Sequence, residues 1–151
     1  MDARYSQSIY YNVRLTARYC KAFIVQALEK MNVDITMDEV FTLDILRCDG
    51  PMCQRDLAKQ LFKDRSNTGK IAQALQEKGL ISINAMQRNN RLVKLLSLTD
   101  KGKNFLENLS EKSAYYLNIV TKIISEEEYE TLQSILNKIR TNLSSIVETQ
   151  I

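Results

Sequence analysis

Histidine is absent from the 151 residues of this sequence. That removes the commonest general acid–base, the commonest zinc ligand and every Ser–His or Cys–His nucleophile pair. Four glycines and one proline leave little material for turns and argue against an all-β architecture. Three cysteines, Cys20, Cys48 and Cys53, form no Cys-x-x-Cys pair and leave an odd number, so neither a disulfide framework nor a zinc knuckle fits. No glycine-rich phosphate loop and no carboxylate cluster on an apolar-walled face can be found. An enzyme is therefore not expected, nor a cofactor or a metal site. No apolar run approaches the roughly 20 residues of a membrane span, and the opening MDARYSQSIYYNVR lacks a signal peptide's apolar core. The expectation is a cytoplasmic chain with no membrane partner.

What is present is an uneven distribution of charge. Residues 54–103 hold eleven Lys/Arg against four Asp/Glu, a net +7, while residues 1–53 and 104–151 come to −1 and −3. A basic third between acidic flanks attracts a polyanion, and nucleic acid is the first candidate.

Apolar positions at Ile9, Val13, Cys20, Ile24, Leu28 and Met31 follow a 3.6-residue period and predict a long helix over about 8–31. Thr36 to Glu39 reads as a capping box before a helix reaching about Cys48, with Val40, Phe41, Leu43, Ile45 and Leu46 on its apolar face. Two short helices follow, Gln54–Leu61 and roughly Ser66–Lys78, the second ended by Gly79 as a left-handed cap. Residues 80–85 and 92–98 then read as strands around Met86–Arg91, whose Gln87–Arg91 is polar and turn-forming. Thr99 caps a long helix whose apolar side includes Phe105, Leu109, Tyr116, Val120, Ile123 and Ile124, and Ser125 to Glu128 forms a capping box for a last one. The fold class is mainly α with a small β wing.

Two short helices joined by a tight turn and followed by a hairpin form the plan of a winged helix-turn-helix. If Leu57, Leu61, Ile71 and Leu75 make the shared core, then Ser66, Asn67, Lys70 and Gln73 point outward to read base edges in a major groove. Arg55, Lys63 and Arg65 suit phosphates, and Gln54 and Thr68 complete the helical set. Arg88, Asn89, Asn90 and Arg91 lie at the hairpin tip, where arginine suits a minor groove. Gly69 inside the second helix leaves room for a close backbone approach or is simply tolerated.

Asp64-Arg65-Ser66, Leu75-Gln-Glu-Lys-Gly-Leu-Ile81 and Leu96-Ser-Leu-Thr-Asp-Lys-Gly102 resemble, in order and spacing, motifs of the MarR family of bacterial winged-helix regulators. The resemblance covers essentially the whole chain. It implies a homodimeric transcription regulator, more naturally a repressor, on a pseudo-palindromic double-stranded DNA operator. Residues 1–34 and 104–151 would supply dimerisation helices around a DNA-binding lobe at 35–103. Three positions depart from the family pattern. Asn90 and Leu92 stand where an Asp-x-Arg is usual, with Arg91 one place early. Phe62 replaces the glycine of many such turns, so that turn is expected to avoid a positive φ. Cys53 stands at an N-cap that usually carries Ser or Thr.

The same resemblance implies release from DNA by a small phenolic or lipophilic effector. Tyr10, Tyr11, Tyr19, Phe23, Tyr115 and Tyr116 are the aromatics that could line its pocket or serve as plain core. Thiol-based redox sensing by Cys20, as in peroxide-responsive relatives, is an alternative, with Lys21 favouring a thiolate and the apolar stripe favouring an inert thiol. A helical protein-interaction adaptor is the other. It has no need of the basic third.

Overall fold

The computed structural model describes residues 4–88 and 90–147. The chain divides into two compact units, Met1–Met37 and Asp38–Ile151.

In the first unit a short 3-10 turn, Tyr5–Gln7, leads into α1, Ile9–Lys30. The Ser8 hydroxyl caps α1 by accepting from the Tyr11 amide at 3.2 Å. Ala27 and Leu28 are the buried residues of α1. Ile9, Tyr10, Tyr11, Val13, Tyr19 and Val25 are exposed, as is Cys20, which the periodic pattern had placed on an apolar stripe.

The second unit takes in all but the first residue of α2 (Met37–Asp49), then β1 (Met52–Cys53), α3 (Gln54–Leu61), α4 (Arg65–Glu77), β2 (Ile81–Arg88), β3 (Arg91–Leu98), α5 (Asp100–Thr121) and α6 (Glu126–Ser144). Its core is Leu43, Leu57, Leu75 and Leu96, all fully buried, with Leu46, Ala58, Ala72, Leu80, Ile81, Leu106 and Leu109 around them. Phe41, expected on the inner face of α2, is instead exposed.

The sheet is antiparallel in the order β1-β3-β2. β1 was not expected, since two residues are too few to show a period. It pairs Met52 with Leu96 and Cys53 with Leu95, tying the start of α3 to the hairpin. The hairpin is longer than its composition suggested. Met86, Gln87 and Arg88 lie in the ladder, and Arg88 pairs with Arg91 across two asparagines. Asn90 takes φ +57°, a left-handed conformation that asparagine tolerates in such turns. Asn89 and the Arg88 side chain lie outside the described residues, as does the Val120 side chain.

Three cap readings hold. Gly79 has φ +71° just past α4, the Thr99 hydroxyl accepts from the Gly102 amide at 3.0 Å, and Ser125 and Glu128 form the reciprocal capping box of α6. Ile123 and Ile124 fall beyond the end of α5 rather than on it. Gly102 is the most closely surrounded of the glycines. A Cβ there would stand 2.2 Å from the Leu80 carbonyl oxygen and 2.7 Å from a Leu98 methyl, so only glycine lets α5 lie against the turn after α4 and the end of β3.

Candidate nucleic-acid interface

The turn between α3 and α4 sets the site. Phe62 closes α3 with φ +51° and ψ +48°, against the expectation from sequence, and its ring is 67% exposed. A non-glycine residue in that left-handed region pays a steric cost of about 1 kcal/mol. The bond from the Lys63 amide to the Ala58 carbonyl at 3.0 Å helps to hold the turn. The Lys63 ammonium lies 3.0 Å from the Asp38 carboxylate, so this expected phosphate contact already has an acidic partner on α2.

Asp64 caps α4. Its carboxylate accepts from the Asn67 amide at 2.8 Å and from the Asn67 side chain at 2.6 Å, and these bonds hold its pKa below the usual aspartate value. Part of the hydrogen-bonding capacity of Asn67 is thus committed inside the helix. Thr68 corrects the sequence reading more fully. It is completely buried and its hydroxyl donates to the Asp64 carbonyl at 2.8 Å. Thr68, Ala72 and Leu75 form the inner stripe of α4, so Thr68 belongs to the core and not to the reading face.

Ser66, Asn67, Lys70 and Gln73 are exposed together on the outer face, as expected. Gln73 donates to Glu77 at 3.0 Å. The far end of α4 is pinned as well. Glu39, only 4% exposed, accepts from the Lys78 ammonium at 2.9 and 3.1 Å, and the Lys101 ammonium donates to the Lys78 carbonyl at 2.7 Å.

Two open grooves flank α4. One, of about 600 Å³, is lined by Arg55, Asp56, Arg65, Leu92 and Lys94 among others. The second, of about 580 Å³, is lined by Ser66, Lys70, Gln73, Glu77, Ile83 and Lys94 among others. Lys94 therefore borders both, and sequence reasoning missed it. Strand alternation was the available signal: Leu92, Lys94 and Leu96 share one face of β3. Gln54 also lines both grooves, but its amide donates to the Arg65 carbonyl at 2.9 Å. Arg91 is exposed beside the turn residue Asn90, at the hairpin tip where it was expected.

The candidate effector aromatics fall in both units. Tyr10, Tyr11, Tyr19 and Phe23 lie on α1 in the first unit, and Tyr10, Tyr11 and Tyr19 are exposed. In the second, Tyr115 stands edge-on to Tyr116 with centroids 5.3 Å apart. Among the described residues no helix is long and apolar enough to cross a membrane.

Comparison with known proteins agrees with this geometry. Residues 35–93 match the MarR family model. An uncharacterized HTH-type transcriptional regulator of Bacillus subtilis, YdgJ, is 25% identical over 112 residues, covering 74% of this chain and 68% of its own. The fold is shared with Bordetella bronchiseptica BpsR, whose DNA binding is regulated by 6-hydroxynicotinic acid, at TM-score 0.80 and 17% identity over 92% of this chain and 97% of that one. It is shared also with MepR of S. aureus in its DNA complex, at TM-score 0.72 and 25% identity over 90% and 96%.

Proposed function

We propose, from the match of residues 35–93 to the MarR family model, that the chain is a homodimeric transcription regulator, acting in the cytoplasm on double-stranded DNA. The observation that carries the reading is α4 itself. It is capped, pinned at both ends and exposed along one polar face between two grooves bordered by Arg55, Arg65 and Lys94. Cations beside a helix of this exposure neutralise phosphates while Ser66, Lys70 and Gln73 meet base edges. Arg91 at the hairpin tip enters the adjacent minor groove, assisted by Arg88, Asn89 and Asn90.

Pairing of two copies is supported by α6, in which no residue is buried and Tyr129, Leu132, Ile135 and Leu143 are exposed. Solitary apolar residues are ordinary on a surface, but a series along one helix marks an interface. Helices in 1–34 and 104–151 therefore supply the dimer, and 35–103 the DNA-binding lobe. Two lobes on a two-fold axis call for a pseudo-palindromic operator. Repression relieved by a small aromatic molecule is supported by the regulated binding of BpsR and by the exposed tyrosines of α1 and α5.

The test is the salt dependence of binding to a duplex selected from a random pool. The logarithm of the affinity should fall linearly with the logarithm of salt, at about 0.9 per neutralised phosphate. A protein that sediments as a monomer and retains no duplex at low salt refutes the reading, and a protein-interaction adaptor would behave in that way.

A further inference from the structure

Gln54 is the first residue of α3 and Arg65 the first of α4. The Gln54 Nε2 donates to the Arg65 main-chain carbonyl at 2.9 Å, which joins the two helix N-termini directly. A side chain at residue 69 would crowd the amide there. A Cβ on Gly69 would stand 3.0 Å from Gln54 Nε2 and 3.8 Å from its Cδ, with no other contact within 4 Å. A glycine inside a helix costs about 1 kcal/mol relative to alanine, so α4 gives up helical stability at the one point where Gln54 crosses it. The close approach suggested for Gly69 is thus made by a side chain of its own lobe.

Resting on the reading of α4 as the recognition helix, we infer that Gln54 is a positioning residue for DNA readout, seated in a notch at Gly69. The bond holds the start of α4 against the start of α3. Helix N-termini are the parts of such a lobe that meet phosphates, so the phosphate contact of Arg55 and the base contacts of Ser66, Lys70 and Gln73 share one rigid frame. Loss of the bond removes no cation but lets α4 tilt. Nonspecific affinity, which depends on charge, is retained. Discrimination, which depends on the register of side chains against base edges, is lost.

The experiment compares binding of the full-length protein to a duplex selected by the wild type with binding to a scrambled duplex, for Gln54→Ala, Gln54→Met, Gly69→Ala and the Gln54→Ala/Gly69→Ala double variant. Thermal unfolding is measured on each. The selected-to-scrambled ratio should fall roughly 3- to 10-fold in both Gln54 variants, as expected for one lost hydrogen bond, with scrambled-duplex affinity unchanged. Gly69→Ala should lower the ratio by itself. It should raise the melting temperature in the Gln54→Ala background and raise it less, or not at all, when Gln54 is present. Equal weakening on both duplexes overturns the inference and makes Gln54 a direct phosphate contact. An equal gain in melting temperature in both backgrounds removes the notch. A wild type that discriminates alongside a Gln54→Ala variant that discriminates as well overturns this inference alone. A wild type that holds no duplex overturns the regulator reading together with it.

Discussion

α4 and α6 are both amphipathic helices, of 13 and 19 residues, yet they are stabilised in opposite ways. α4 buries Thr68, Ala72 and Leu75, is capped by Asp64, and is tied to α2 through the Lys78–Glu39 pair. α6 has its capping box but buries nothing among the described residues. The shorter helix is complete within one chain, while the longer one leaves its apolar side in water. On the proposed function this difference has a reason: a helix that presents a fixed face to a duplex needs rigid local support, and one that forms an interface can leave that support to the other subunit.

The sharpest way to break this contrast is a charge on the exposed side of α6. Ile135→Glu, repeated by symmetry, should cost a dimer about 4 kcal/mol, taking about 2 per interface position. Sedimentation should then show a monomer, with melting at lower temperature. An unchanged dimer would mean that α6 lies outside the interface. On the self-contained side, Gly102→Ala forces a Cβ to within 2.2 Å of the Leu80 carbonyl. It should destabilise by about 3 kcal/mol, read as a fall in the urea midpoint. The effect of Phe62→Gly has the opposite sign. Relief of the left-handed backbone, less the added chain entropy, should stabilise the lobe by about 0.5 kcal/mol; a loss would show that the ring has an unseen packing role.

The smallest effect is electrostatic. Asp64 has its folded pKa depressed by the bonds from Asn67. Its contribution is therefore present above the ordinary aspartate value and disappears as pH falls through that value toward the lower folded one. Asp64→Asn should flatten this part of the stability–pH curve, as measured by denaturant unfolding. A curve that keeps the wild-type slope would assign the acid sensitivity to other carboxylates.

Much of this architecture was legible where one residue type does one job. Gly79 past α4, Thr99 before α5 and the Ser125–Glu128 box all stand where their chemistry requires. Legibility failed where a side chain serves against its type. Thr68 is polar but buried because its hydroxyl is satisfied within its own helix. Phe62 adopts a conformation normally left to glycine because the surrounding bonds over-determine it. Gln54 looks like a surface donor, yet its partner is eleven residues away, a distance local patterns cannot span. Lys94 is a cation on the strand face that otherwise turns Leu96 inward. Gln87 and Arg88 read as a turn because their polarity hides the alternation of a ladder.

The contact at Gly102 also has a mechanical consequence. α5 is 22 residues long, about 33 Å at 1.5 Å per residue, and it is clamped near its first turn with no slack against the Leu80 carbonyl. The arm from Gly102 to the end of α5 is about 28 Å, so a tilt about that clamp sweeps the distal tip about 0.5 Å per degree. A shift of 2 Å at the tip would thus equal roughly 4° at the clamp, making the helix a lever whose short arm ends beside the wing.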